Sequence, residues 1–522
     1  MLGAVDSLPD PVQQPGLSRA DLLWRGGAIG AASVAARLAL GPENAVAAGT
    51  DSPYVNPDAL RAAGDPDDTN AINGALATGS RVMLTRGKTY VVSSPLNMTR
   101  AGQVLDGNGA RLKRANQSGS TEWNTIYISA SDCRVRDLEI DGNKTNYPTA
   151  NWATTAEIRV EAGGDRAVIE RCHIHDFPGE GIQQGNSDDV AVIGNVLVDG
   201  NGNGIHYGSG GRVYKGGQVL YNTVKNVNGN PAVGHADGCV VLSDGVGDFV
   251  VHGNYLENGI SGVGSIDSTD NLDLTITCNT IRAMTGTAIE GDNPPGAAST
   301  NVLVEGNRIY DSGSIAITQQ RLSSSVFPAR WTVRGNLLWN TTIHGNYALW
   351  QIIEGNVFAG GGASATYIDM AGPKYLTIAD NQFDGGQTGV NVGDAFDTVA
   401  IKRNVFVGQS SRAVNVYSGG GVRMSIAANV IRDAGDRGIS LGADRAAVRG
   451  NDVLMSSGGA GILVGSNYNA VTANTVRVGK ASNSIQIASG ATANVVHENQ
   501  SDKAITDGGT RTDKTGNVRL AA

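Results

Sequence analysis

An all-β solenoid of stacked coils is the fold class that the sequence predicts. Three observations predict it: an asparagine hexapeptide that recurs at short intervals, a second recurring piece of alternating polarity between its copies, and a composition that marks off no separate compact domains. The chain has 522 residues, with 72 Gly, 15 Pro and 17% charged residues, so it is neither disordered nor collagen-like. No Pro- or Ser-rich linker divides it after about residue 57. The net charge of −9 argues against a nucleic-acid partner, which calls for a basic stripe. Neutral sugars, or acidic polymers met through a metal ion, remain as partners.

Residues 1–49 are Ala- and Gly-rich and carry neither strand nor turn pattern. The run "LSRADLLWRGGAIGAASVAARLALGPENAVAAG" has a basic start, an apolar middle and an A-x-A ending near Ala45 to Ala47, which is the layout of an export signal. It resembles a twin-arginine signal in which Ala20 stands at the second arginine and Arg37 interrupts the apolar run. The protein is therefore expected outside the cell. The apolar run is too short to span a bilayer, and no later segment is a membrane-span candidate. Residues 50–99 read as a short helix, starting near Asp68 or Thr69, followed by entry strands.

The repeat dominates the region 100–510. A hexapeptide of the form apolar-x-x-Asn-x-apolar recurs with its asparagine at 195, 222, 254, 279, 307, 336, 356, 381, 404, 429, 451, 474 and 499, at intervals of 20 to 32 residues. Most of these intervals are too short for a β-α-β unit, which needs about 30 residues or more. Each repeat is thus a coil of short strands. Between the asparagines run pieces such as "EGIQQG", "NGIHYG", "DGCVVL" and "RGISLG", whose apolar residues alternate with polar or small ones. One face then points into a core and the other outward. A buried Asn at every turn suits such a stack, because each amide can donate to one coil and accept from the other. Cys172 and Leu138 fill the same slot in two earlier coils, which predicts about 14 coils in all. Residues 511–522 read as a polar tail. Cys133, Cys172, Cys239 and Cys278 lie far apart without C-x-x-C spacing and are expected as buried free thiols.

Repeats of this length, with "GN" and "GI" punctuation and an Asn ladder, resemble the right-handed parallel β-helix of the pectate lyase superfamily. The entry segment "DPDDTNAINGALATGSRVMLTRGKTYVVSSPLNM" is similar to the start of many of its members. The resemblance implies a single-stranded right-handed parallel β-helix with an N-terminal capping helix, and carbohydrate-directed chemistry. It does not fix the reaction, because one fold hosts several chemistries. The G-H-G of polygalacturonases, the W-x-D-H of classical pectate lyases and the D-P-H of mannuronan epimerases are missing; only "SDDV" at Ser187 to Val190 echoes the D-D of the first family.

Stacked coils bring like positions into columns. Aligning the second piece on its central apolar residue puts Glu180, Asn203, Asp237, Ser261 and Thr287 in one column. The adjacent outward column then holds Gln183, His206, Val240, Gly264, Glu290, Thr318, Asp369, Asn391, Asn415, Ser440, Leu463 and Gln486. Carboxylates and imidazoles crowd the early coils, whereas later coils carry mainly Asn, Ser, Thr and Gln. That clustering marks the early coils as the candidate site, with Asp237, Glu290, Glu180, His235 and His206 as candidate catalytic residues. At two coils' separation, Glu180 and Asp237 would hold their carboxyls about 10 Å apart, nearer to the inverting than to the retaining glycosidase spacing. A long coil there carries Trp152 and Tyr147, and the coil between it and the next long one carries Tyr207, Arg212, Tyr214 and Lys215; with Gln183 these are candidate sugar contacts.

The reading is a secreted polysaccharide-degrading enzyme, a glycoside hydrolase or glycosyl-transfer enzyme using a carboxylate pair. Its first alternative is a polysaccharide lyase with Lys215, Tyr214 or His206 as base and a Ca²⁺ ion held by Asp244, Asp267 and Asp292. Its second is a non-enzymatic carbohydrate-binding solenoid of tailspike or adhesive type. The hydrolase reading needs no cofactor.

Overall fold

The computed structural model describes residues 53–116, 123–147, 154–208, 214–227, 238–243, 246–267, 272–293, 301–319, 330–346, 350–419, 423–480 and 483–520. The expected export segment lies outside them. Helix α1, Thr69–Thr78, opens the architecture. Asp68 is its N-cap residue, but the Asp68 carboxylate accepts from the Val91 amide at 2.8 Å and pairs with Arg61 instead of capping. The first-turn amide of Thr69 is taken by Asp67 at 2.8 Å.

Thereafter the chain is almost all strand, in three parallel sheets. Each coil contributes one strand to each sheet. Arg134–Arg136, Glu139–Asp141 and Ala156–Val160 form one such coil, and Val168–Glu170, His173–His175 and Glu180–Gln184 form the next, paired to it strand by strand. Inward residues on all three sheets make one core, with Ile140, Ile174, Leu197 and Val224 stacked through successive coils of the second sheet and fully buried. Further along the same sheet Phe358, Phe383 and Phe406 stack face to face, with ring centroids 4.8 and 4.6 Å apart.

The asparagine ladder runs through the turn between the first and second sheets as the hexapeptide predicts. Asn307 is representative. Its backbone amide donates to Asn336 Oδ1 at 2.8 Å, and its Nδ2 donates to the same oxygen at 3.0 Å and to the Ile276 carbonyl at 2.9 Å. Its own Oδ1 accepts both donors of Asn279. Cys172 donates its amide to Asn195 Oδ1 at 2.9 Å, so it does occupy the ladder slot. The residue before every asparagine from Asn195 to Asn499 is left-handed, six times Gly and otherwise Tyr221, Cys278, Asp380, Arg403, Ala428, Ala473 and Glu498. Glycine reaches that conformation without steric cost, which is why "GN" recurs. The stack runs on past residue 510: Asn499 donates to Asn517, and Val518–Arg519 pairs with Gln500–Ser501.

All four cysteines are free. Three are buried as expected, but Cys278 is exposed, because it is one of the left-handed residues on the turn beside the ladder. Among the described residues no helix is long and apolar enough to cross a membrane.

Candidate functional site

The third sheet and the turn that leads into it carry the candidate residues. Ile182, Ile205, Val240, Val263 and Ile289 pair in register through five coils and are fully buried. Two positions earlier stand Glu180, Asn203, Gly238, Ser261 and Thr287. One position later stand Gln183, His206, Val241, Gly264 and Glu290, continued by Ala316, His344, Asp369, Asn391, Asn415, Ser440, Leu463 and Gln486.

Three places in this register correct the sequence alignment. Gly238, not Asp237, falls in the column of Glu180; Val241 and Ala316 take the outward places expected for Val240 and Thr318; and His344 joins a column it was not assigned to. The cause is visible in "GCVVLS" and "SIAITQ": each has apolar or small residues at consecutive positions, so alternation does not mark which one faces out.

The two columns touch. His206 Nδ1 lies 2.6 Å from Glu180 Oε1, and Asn203 Nδ2 donates to that same oxygen at 3.2 Å. His206 Nε2 lies 2.8 Å from Ser243 Oγ on the next coil. Asn203 Oδ1 accepts the Gly238 amide at 3.1 Å. Glu180 is 0% exposed and His206 8% exposed, and Glu180 Oε2 has no hydrogen-bond partner among the described residues. Four coils away, Glu290 Oε2 accepts from Thr287 Oγ1 at 3.0 Å and from Ser261 Oγ at 3.4 Å. Four coil spacings put Glu290 about 19 Å from Glu180 along the stack, far beyond the separation at which two carboxyls share one glycosidic bond. Glu180 and Glu290 therefore do not form a pair.

The profile of the family described as "Right handed beta helix region" matches residues 238–423 and 366–518, together more than half of the chain. The chain belongs to this right-handed β-helix family. No curated protein matches it. Among solved structures, the surface adhesin PfbA of Streptococcus pneumoniae is 12% identical over 74% of this chain and 93% of its own, with a TM-score of 0.44. The hyperthermoactive exopolygalacturonase of Thermotoga maritima is 13% identical over 71% and 90%, with a TM-score of 0.34. Gene product 12 of bacteriophage phi29 in its pre-mature form is 13% identical over 88% and 73%, with a TM-score of 0.47.

Other expected contacts of the β-helix protein fall elsewhere. Tyr207 points into the core, 1% exposed, its ring edge-on to Phe249 and its hydroxyl donating to the Val190 carbonyl at 3.0 Å; burial pushes its phenol well above the usual range. Tyr147 is also buried, with the Arg114 guanidinium 4.4 Å from its ring centroid and its hydroxyl on the Ala115 carbonyl at 2.7 Å. Neither tyrosine offers a face to a sugar. They were singled out as aromatic residues in or beside long coils, and spacing alone did not show that their rings turn inward. Lys215 is exposed, but it and Tyr214 sit on the first sheet, away from His206. Gln183 lies beside His206 in the outward column and is 4% exposed. Trp152, Arg212, His235, Asp237 and Asp244 lie outside the described residues, and Asp267 and Asp292 are placed by their backbone alone.

The groupings compact enough to take a cation, among the described residues, are on the second sheet: Glu139, His173 and His175, and Asp141, His175 and Asp176. The carboxylates of both are already paired with cationic side chains, Glu139 with Arg111, Asp141 with Lys113 at 3.6 Å and Asp176 with Lys144 at 3.7 Å. Burial raises the Glu139 carboxyl, but hydrogen bonds from Arg111 and His175 outweigh it and hold the group below its ordinary value.

Sequence reading also missed Ser243. Its signal was faint, a serine just after an apolar run, and only the stacking of adjacent coils brings it to His206.

Proposed function

We propose that this β-helix protein is a hydrolase of a carbohydrate polymer, with Glu180 and His206 as its proton-handling pair. The observation that supports it is the buried Glu180 carboxylate hydrogen-bonded to an imidazole on the outward side of the third sheet. Burying a carboxylate beside a histidine is expensive in solvation, and a coil elsewhere in this stack fills the same column with Ser or Thr. Buried carboxylate–imidazole pairs joined by a hydrogen bond are a common feature of reaction sites. A parallel solenoid also presents its outward columns at regular steps of about 4.8 Å, a flat track suited to an extended polymer.

Glycosidic cleavage is the first form of this reading. Asp237, which precedes Gly238 in the sequence and lies outside the described residues, is the candidate for the second carboxyl, with Gln183 beside His206 as a sugar contact. Elimination from a uronate polymer is disfavoured for Lys215 and Tyr214, which lie on a different sheet, and leaves only His206 as base. A binding role has its own observation: Trp350 and Trp339 are exposed, and Trp350 stacks on Tyr375 with centroids 4.1 Å apart on the first sheet, a surface that could hold a sugar ring.

The test is digestion of neutral and uronate polysaccharides by purified protein, read by new reducing ends and by the ultraviolet absorbance of unsaturated products, with and without chelator. Reducing ends without absorbance are expected, and Glu180→Gln removes them. Chelator-sensitive absorbance would establish the lyase instead. Silence in both channels, with retention on an immobilised polysaccharide, would overturn the hydrolase in favour of the binding solenoid.

A further inference from the structure

We propose that Ser243, His206 and Glu180 form a triad of nucleophile, general base and orienting carboxylate that hydrolyses O-acyl esters carried on the polymer. The acyl-transfer step stands on the geometry alone. The sugar as bearer of the ester rests on the reading given under Proposed function.

The three residues come from strands Glu180–Gln184, Ile205–Tyr207 and Val240–Ser243 on consecutive coils of the third sheet. Two contacts join them in line, Ser243 Oγ to His206 Nε2 at 2.8 Å and His206 Nδ1 to Glu180 Oε1 at 2.6 Å. A carboxylate can only accept, so the neutral imidazole carries its proton on Nδ1 and leaves Nε2 to accept from the serine hydroxyl. That is the relation an activated serine requires: a base within hydrogen-bond reach, oriented by a third group. Asn203 Nδ2 on Glu180 Oε1 fixes the carboxylate, which makes Asn203 and Glu180 positioning residues.

Exposure rises along the line in the direction acyl transfer needs. Glu180 is 0% exposed and His206 8%, while Ser243 at the strand end is half-buried and reachable. The backbone makes room for the hydroxyl at one point. Gly208 has φ +143°, and a Cβ there would lie 2.3 Å from Ser243 Oγ, so a glycine is required opposite the serine. Glu180 is fully buried and held by His206 and Asn203 through Oε1, while its Oε2 has no partner among the described residues, a solvation cost that an apolar side chain at this place would not incur.

The chemistry closes on these groups and water. Ser243 Oγ adds to the ester carbonyl carbon and its proton passes to His206 Nε2. The carbon–oxygen bond to the sugar breaks, and the departing sugar oxygen takes that proton. Water then adds to the acyl-serine, gives a proton to Nε2, and the collapse of the adduct releases a carboxylic acid and restores the serine hydroxyl. Glu180 Oε1 keeps the imidazole in its working orientation throughout.

The test uses the full chain. It is treated with a fluorophosphonate, mapped by peptide mass, and assayed with p-nitrophenyl acetate and for acetate release from acetylated xylan, glucan and pectin. The expected result is a single phosphonylated residue, Ser243, and ester turnover that falls at least about 10³-fold in Ser243→Ala at an unchanged melting temperature. Glu180→Gln is expected to lower kcat at nearly constant KM and to distort the imidazole limb of the pH profile, which a purely structural role would not do. No label on Ser243, or acetate release undiminished in Ser243→Ala, overturns the triad whether or not reducing ends appear. Label and p-nitrophenyl acetate turnover without acetate from any acetylated polysaccharide keeps the triad and overturns its carbohydrate substrate.

Discussion

The inward ladder, between the first and second sheets, and the outward column of the third sheet run through the same coils, yet they are built on opposite rules. From Asn195 to Asn499 the ladder repeats one residue and one set of bonds, with amide-to-oxygen distances of 2.9 to 3.0 Å. The outward column changes at nearly every step: Gln183, His206, Val241, Gly264, Glu290, Ala316, His344, Asp369. Repetition is what the stack needs to satisfy buried amides that water cannot reach. Departure from repetition is affordable only where nothing in the stacking demands a given side chain. The irregular column is therefore where chemistry can be placed, and the ladder is where stability is placed.

The sharpest way to break this contrast is to remove one asparagine from each. Asn336→Ala deletes the oxygen that accepts both donors of Asn307 and the amide that reaches the Val304 carbonyl. With three buried groups left unpaired at 1–3 kcal/mol each, a loss of about 4 kcal/mol is expected. Asn391→Ala in the outward column removes a 2.8 Å bond to Asp369 and a 2.7 Å bond from Asn415, both half-buried, and about 1 kcal/mol or less is expected. Urea unfolding of the two variants decides it. Equal shifts in midpoint would mean the column is as structural as the ladder.

Thiol chemistry sharpens the same contrast. Burial pushes Cys172 and Cys239 up to about 12 and Cys133 up to about 11, and all three face the stack, whereas Cys278 is exposed. Alkylation of the native protein at pH 8 is expected to add one adduct, at Cys278, and four after denaturation. More than one adduct on the native chain would show that the inner column opens.

A smaller effect separates half-buried outer groups from the core. Burial lowers the His252 imidazole below its ordinary value, while its Nδ1 meets Thr277 Oγ1 at 2.9 Å. Because the folded value lies below the unfolded one, the unfolded chain takes up the proton first, so stability falls as pH drops below about 6.5. His252→Gln is expected to flatten the dependence of melting temperature on pH just below that value by under about 1 kcal/mol equivalent. An unchanged slope would assign it to other groups.

How much of this was legible depended on whether a residue repeats. The ladder, the parallel stacking and even the substitution of Cys172 for Asn could be read from spacing, because one geometry recurs and leaves one signature many times. Register at single coils could not. In "GCVVLS" two adjacent valines satisfy either face, and the choice between them moved Asp237 out of the column of Glu180. Glu180 and His206 were legible as an unusual crowding of titratable groups, and their contact follows from their places on adjacent coils. Ser243 was not, because its partner lies 37 residues away and coil lengths vary too much for spacing to predict that pairing. Tyr147 and Tyr207 failed in the other direction: aromatic residues in or beside long coils read as surface features, but a hydroxyl that finds a backbone carbonyl can sit inside.

The smallest effect tests the turn beside the ladder. Ala428 is exposed and left-handed at φ 54°, at the position where six other coils carry glycine. A left-handed alanine costs roughly 1–2 kcal/mol in backbone strain, and glycine gives back about 0.5–1 kcal/mol through the greater freedom of the unfolded chain. Ala428→Gly is therefore expected to stabilise by about 0.5 kcal/mol, measured as a raised urea midpoint with an unchanged slope. The same substitution at Ala427, which pairs within the first sheet, has no left-handed strain to relieve and should destabilise. If both variants move the same way, the glycine of the "GN" motif reflects something other than the handedness of the turn, and the physical reading of the repeat would have to be rebuilt from that position outward.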